Sequence, residues 1–245
     1  MSSSLVQSSD PPVSGVQIWT AHLEALSPVE LEELNALLDS AERARAARFH
    51  FEHHRRYYAA ARGLLRRLLG AALDQPASAL VFKYGAHGKP ALSSEFMRDR
   101  TLCFNLSHSS GWAMFALALD CHVGIDLESL VRLKDTGDGL SGIAARVLSA
   151  RELAVWNALP EVAREAAFLR AWTRKEAYAK ATGHGLLHEL DRIEVILDAA
   201  APESSLALGP EQENEVSRAW VLHDLPAPDG FVAAIAVENT LPTPA

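Results

Sequence analysis

Apolar and polar positions along the chain change period several times, and each change marks an element. Residues 16–22 alternate with period two and read as a short strand. Ser27-Pro28-Val29-Glu30 then opens a helix, with Ser27 as N-cap, Pro28 at the first helical position and Glu30 closing a capping box. Residues 43–73 are helix-forming, with Tyr58, Leu65, Leu68 and Leu69 available for an inner face, and Asp74-Gln75-Pro76 ends the stretch. A strand at 80–84 leads into the turn-rich Gly85-Ala86-His87-Gly88-Lys89-Pro90. Two more strand-like runs, 102–106 and 112–119, are joined through Ser107-His108-Ser109-Ser110-Gly111, and Asp120-Cys121-His122 turns the chain into a third, 123–127. The polar stretch 129–142 is expected to be a flexible loop. Ser149-x-x-Glu152 caps a helix to about residue 159, Pro160 breaks it, and a longer helix runs over about 161–181 with Gly183 as its stop. Strands at 192–197, 217–223 and 231–237 follow, separated by a polar loop at 202–215.

The order strand, helices, strands thus occurs twice, on either side of about Asp120. Helices bunched between antiparallel strands predict an α+β fold rather than a doubly wound one. Residues 1–14, rich in Ser and Pro, read as a disordered leader; 15–120 and 121–245 read as the two α+β halves.

Hydrophobic residues make up 49% of the 245, ample for a packed core. The longest apolar run, Trp112–Leu119, is far short of the roughly 20 residues a bilayer requires. The first fourteen residues lack both a basic residue and a long apolar stretch, so no secretory signal is expected and the cytoplasm is the expected compartment. Cys103 and Cys121 are too few for a disulfide framework or a Cys-based zinc site. A net charge of −8 argues against broad nucleic-acid binding. The charge is uneven, however: eight arginines lie between Arg43 and Arg67 against one acid, Glu52, which predicts a local anion site on an acidic protein.

Four segments could carry chemistry. In Gly124-Ile125-Asp126-Leu127-Glu128, residues two apart on a strand share a face, so Asp126 and Glu128 project together. Such a pair repels unless a cation lies between, and magnesium suits it; a solvated strand edge is the alternative. In Trp172-Thr173-Arg174-Lys175-Glu176-Ala177-Tyr178-Ala179-Lys180, positions 172, 176 and 180 share one helix face. There Glu176 and Lys180 are either a surface ion pair or a metal ligand and a phosphate contact. Lys89, framed by Gly88 and Pro90, is a plausible phosphate contact, and Ser107 and His108 could donate to an anion. A Ser–His hydrolase is disfavoured, because neighbours on a strand point apart and no Gly-x-Ser-x-Gly elbow surrounds Ser107.

Gly88-Lys89-Pro90, Asn105-Leu106-Ser107-His108-Ser109, Gly124-Ile125-Asp126-Leu127-Glu128 and the segment from Trp172 to Lys180 occur in an order that resembles the 4′-phosphopantetheinyl transferase superfamily, in its larger, Sfp-like pseudodimeric branch. The resemblance covers about residues 43–190. It implies two similar halves with coenzyme A in the cleft between them and the metal site in the second. It further implies that Asp126, Glu128 and Glu176 ligate Mg2+, and that Lys89, Ser107 and His108 hold the phosphates of coenzyme A. Gly88 and Pro90 would shape the loop, while Lys180 contacts the diphosphate with help from Lys175. Arg45 and Arg62 would meet the nucleotide and its 3′-phosphate, with Arg48 and Arg66 as rivals.

The implied reaction is magnesium-dependent transfer of the phosphopantetheine arm to a serine of an apo acyl, peptidyl or aryl carrier protein, releasing 3′,5′-ADP. Glu176, Lys180 and Asp126 are the expected catalytic residues, Glu176 as general base. A monomer is expected, since one chain holds both halves. Two other readings remain: a metal-dependent phosphodiesterase using the same acids, and a non-catalytic module binding coenzyme A or a carrier.

Overall fold

The computed structural model describes residues 5–8, 10–96, 100–130, 139–183, 190–197, 203–205, 207–208 and 219–239. In chain order its first half comprises β1 (Leu5–Gln7), β2 (Val16–His22), α1 (Pro28–Ala36), α2 (Ser40–Ala47), α3 (Glu52–Leu73), β3 (Phe82–Tyr84), β4 (Pro90–Leu92), β5 (Leu102–Ser109) and β6 (Trp112–Leu119). The second comprises β7 (Val123–Ser129), α4 (Gly139–Val147), α5 (Ala150–Ala158), α6 (Glu161–Thr182), β8 (Ile193–Glu194), β9 (Glu203–Ser205), β10 (Ala207–Leu208), β11 (Ala219–Leu225) and β12 (Phe231–Asn239).

Each half carries an antiparallel four-stranded sheet, ordered β1-β2-β6-β5 in the first and β7-β12-β11-β9 in the second. Alternation along β6 explains how they stack. Ala113, Phe115 and Leu117 pack with Leu64, Leu65 and Leu69 of α3, whereas Met114, Ala116 and Ala118 pack with Val123, Ile125 and Leu127 of β7. Beyond β7 and β12, Ala234 and Ala236 pack with Phe168 and Ala177 of α6. The layers therefore run helix, sheet, sheet, helix, and β6 is apolar on both faces because both are covered. This is the α+β arrangement of two similar halves that the element order predicts.

Since Ile125 and Leu127 face the inter-sheet core, Gly124, Asp126 and Glu128 face α6. A Cβ on Gly124 would stand 2.0 Å from the Ala177 carbonyl oxygen and 2.4 Å from the Ala181 nitrogen. Only glycine allows the strand and helix backbones to come this close.

Four expectations need correction. Within the supposed leader, Leu5–Gln7 forms a strand antiparallel to residues 19–21, and Val13 packs on the inter-sheet core; β1 covers what would otherwise be the bare edge of β2. The arginine-rich stretch is two helices rather than one. Asp39 and Glu42 form a capping box that starts α2, and Glu42 then meets Arg62 and Arg66 of α3. In one continuous helix, Glu42 and Arg62 would be separated by roughly 30 Å. Next, β5 runs on to Ser109, because its hairpin with β6 turns on Ser110 and Gly111 alone, at φ of 42° and 80°. Of the supposed loop at 129–142, residues 139–142 open α4, while 131–138 lie outside the described residues.

Candidate active site

A cleft of roughly 160 Å³ lies among α3, the β3–β4 hairpin and β5. Five residues expected to contact coenzyme A line it: Arg45, Arg62, Gly88, Pro90 and His108. The hairpin loop is closed by the Gly85 N–H on the Lys89 carbonyl and the Gly88 N–H on the Gly85 carbonyl, both at 2.9 Å. Gly88 has φ +80°, which favours glycine there. Arg62 is buried and its guanidinium is fixed. Nε and Nη2 donate to Glu42 Oε1 at 2.8 and 2.6 Å, and Nη2 also donates to the Tyr84 hydroxyl at 3.1 Å. Arg45 is exposed, its guanidinium 5.9 Å above the Tyr58 ring. Of the rivals, Arg66 has no exposure and is bound by Glu42, Asp39 and two backbone carbonyls, so it holds the fold together. Arg48, at the end of α2, does not line the cleft.

The acidic centre lies where β5, β7 and α6 meet. Asp126 Oδ1 accepts from Lys180 Nζ at 2.6 Å and from Ser107 Oγ at 3.0 Å. Glu128 Oε1 accepts from the Trp172 indole at 3.2 Å. Glu176, 3% exposed, lies one helical turn from both Trp172 and Lys180 and so faces the two β7 carboxylates. Residues 172, 176 and 180 therefore share the face toward β7, and Lys180 is no isolated surface pair with Glu176.

Among the described residues, no three acidic, histidine or cysteine side chains are grouped closely enough to hold a metal ion as they stand. The Lys180 ammonium, lying against Asp126, is the positive charge there. The group nevertheless fits a cation. Asp126 Oδ2 is buried with no hydrogen-bond partner, and leaving such an oxygen unsatisfied costs about 1–3 kcal/mol or more. Asp126 and Glu128 are buried along with Glu176, and buried carboxylates in one region repel unless positive charge separates them.

Three expected phosphate contacts are otherwise engaged. Ser107 Oγ donates to Asp126 Oδ1 and accepts from the Leu127 N–H at 3.2 Å and Lys180 Nζ at 2.9 Å, which uses its one proton and both lone pairs. In this arrangement it joins the halves instead of offering a donor to phosphate. Lys175 is fully buried and donates to Glu152 at 2.5 Å and to the Val147 and Leu190 carbonyls at 2.8 Å each. One residue is 100° of helix, so Lys175 points into the core of its own half, away from Glu176. Burial lowers its pKa, and the nearby Glu152 works against that.

Lys89 crosses between halves. Its Nζ donates to the Ala181 carbonyl at 2.6 Å, in the last turn of α6, and more weakly to the Val123 carbonyl at 3.4 Å. Desolvation by burial lowers its pKa to about 8 from 10.5. Between those values the unfolded chain holds a proton that the folded one has lost, so the Lys89 contribution to stability rises with pH across that window. In urea unfolding, wild-type stability relative to Lys89→Met is expected to increase from pH 7.5 to pH 10; a decrease would contradict this burial.

Sequence patterning missed Asn105, whose side chain accepts the Ile125 N–H at 2.9 Å, as well as Glu42 and Tyr84, which orient Arg62. The Asn105 signal was present in its period-two spacing from Ser107. Glu42 gave none beyond its capping box. In Gly183-His184-Gly185, where small residues would let backbone approach a ligand closely, residues 184 and 185 lie outside the described residues.

The family model described as 4′-phosphopantetheinyl transferase superfamily matches residues 122–236, and that described as 4′-phosphopantetheinyl transferase, N-terminal, matches 25–120. The chain is 39% identical over 222 residues to the 4′-phosphopantetheinyl transferase HetI of a Nostoc species, covering 91% of this chain and 87% of that protein. It is 30% identical over 161 residues to the 4′-phosphopantetheinyl transferase psf-1 of Bacillus pumilus, covering 66% and 64%. With the L-aminoadipate-semialdehyde dehydrogenase-phosphopantetheinyl transferase of Homo sapiens it shares 26% identity over 247 residues, covering 94% and 76%.

Proposed function

The chain belongs to the 4′-phosphopantetheinyl transferase superfamily, and from that premise we propose how its own residues carry out the transfer of phosphopantetheine from coenzyme A to a carrier-protein serine. The observation that carries the reading is Lys180. Its ammonium bridges Asp126 and Ser107, at the joint between the half that forms the basic cleft and the half that bears the three carboxylates.

The nucleotide and 3′-phosphate of coenzyme A enter the cleft walled by Arg45, Arg62, Gly88, Pro90 and His108. Arg62 is preorganised by Glu42 and Tyr84, so little ordering remains to be done on binding. The diphosphate lies toward Lys180, which leaves Asp126 to meet it. Asp126, Glu128 and Glu176 are the residues that would hold a divalent cation, Mg2+ by its preference for oxygen ligands and retained waters. Such an ion, when bound, neutralises diphosphate charge. The carrier's serine oxygen attacks the phosphorus bearing pantetheine. A new O–P bond forms as the bond to the departing 3′,5′-ADP breaks. Glu176 takes the serine proton, and Lys180 stabilises charge on the transferring group. Lys89 acts from the hairpin, keeping Gly88 and Pro90 against the end of α6.

Support for a monomer comes from the sheet-to-sheet core, which already covers the inner faces of both halves within one chain. No helix among the described residues is long and apolar enough to cross a membrane, and cytoplasmic location is proposed with it. The net charge of −8 favours no nucleic-acid partner.

The test is direct. An apo acyl carrier protein, incubated with coenzyme A, Mg2+ and this protein, is expected to gain the mass of phosphopantetheine, and EDTA is expected to stop the gain. A carrier unchanged in mass would overturn the activity; transfer undiminished by EDTA would overturn the metal assignment alone.

A further inference from the structure

The two sheets meet along their edge strands. β5 ends the order β1-β2-β6-β5, and β7 begins the order β7-β12-β11-β9. Backbone N–H groups along a strand edge require acceptors when buried. Here two side chains of β5 supply them to β7: Asn105 Oδ1 accepts the Ile125 N–H at 2.9 Å, and Ser107 Oγ accepts the Leu127 N–H at 3.2 Å. Donors and acceptors are both two residues apart, so the side chains stand where the carbonyls of a neighbouring strand would stand in a continuous ladder. Both are 6% exposed. Unlike Ser107, Asn105 also lines the basic cleft. A single residue thus borders the cleft of one half and, through its side chain, holds the strand that carries Asp126 and Glu128 in the other. Its orientation follows from chemistry, since the Ile125 N–H demands the oxygen end of the amide, and this turns the nitrogen end away from β7.

We propose that Asn105 is a positioning residue that sets the register of β7 against the cleft, so that the acidic centre receives the diphosphate of a nucleotide held in the other half. The inference rests on the site assignment made above. Losing the Asn105–Ile125 bond frees β7 to shift relative to β5, and a displacement of about 1 Å at a reacting centre costs up to roughly 100-fold in rate. The other walls of the cleft, Arg45, Arg62, Gly88, Pro90 and His108, belong to the first half and stay in place.

The experiment compares wild type with Asn105→Ala, which removes the acceptor, and Asn105→Asp, which keeps it. Three quantities are read: kcat for transfer to an apo acyl carrier protein, the affinity for 3′,5′-ADP by calorimetry, and amide exchange of the β7 peptide. Asn105→Ala is expected to lower kcat by about 100-fold, to change 3′,5′-ADP affinity by no more than about a few-fold, and to speed exchange in β7. Asn105→Asp is expected to restore the slow exchange, and less of the rate because its added charge is buried beside the acidic centre. A wild-type kcat in Asn105→Ala overturns the proposal, as does a loss of 3′,5′-ADP affinity parallel to the loss of kcat. Should Asn105→Ala fail to fold, Asn105→Asp decides by exchange: slow β7 exchange supports the role, and exchange faster than in wild type removes it. An inert wild type would count against the transfer reaction instead, and β7 exchange in the two variants would then judge Asn105 by itself.

Discussion

Replacing Glu176 with glutamine is expected to reduce transfer by about 10³-fold or more, within the range by which a positioned general base contributes and compounded by the loss of a cation ligand. Glutamine is nearly isosteric, so the α6–β7 contact survives. Glu176 lies among buried carboxylates, and removing its charge relieves repulsion. The melting temperature is therefore expected to hold or to rise slightly while kcat collapses. The 3′,5′-ADP affinity should remain, because Arg45, Arg62 and His108 lie in the other half. Single-turnover transfer measured beside a thermal melt checks both. Near wild-type transfer would remove Glu176 from the chemistry.

Its neighbour in sequence is expected to behave in the opposite way. Lys175→Met removes the ammonium from a buried pair and leaves Glu152 holding the Ser149 and Val195 N–H groups without a cation. Breaking such a pair from one side costs about 3–5 kcal/mol. For a chain of this size that corresponds to a melting temperature lower by roughly 10 °C. Below its melting point the variant should retain kcat close to wild type, since Lys175 Nζ donates only within the second half. Adding Glu152→Leu should recover part of the loss by removing the stranded charge. A collapse of kcat with an unchanged melting temperature would put Lys175 back at the diphosphate.

These two variants show where residue patterning stops. The four-residue spacing of Trp172, Glu176 and Lys180 gave their shared face directly, because helix geometry alone fixes it. That Lys175 faces an acid twenty-three positions earlier, on α5, could not be read from spacing, since the partner is chosen by packing. The same division holds for the serine and histidine of β5. Strand alternation predicts that Ser107 and His108 point apart, and they do: one reaches Asp126 and the other the cleft. It does not reveal that Ser107 has all of its bonding capacity taken up between the halves.

By itself the sequence determined what depends on short-range geometry. The period-two placement of Asp126 and Glu128, the capping boxes at Ser27 and Ser149, the stop at Gly183 and the doubled α+β order all follow from backbone periods and end effects that act over a few residues. Only the tertiary structure decided the long-range pairings. Folding α2 back on α3 gave Arg62 to the cleft and took Arg66 into the core. The close approach at Gly124 brought α6 onto β7, and Asn105 and Ser107 joined two sheet edges through side chains. Each of these is fixed by which buried charge or N–H finds a partner when the layers close, and that depends on groups far apart in the chain.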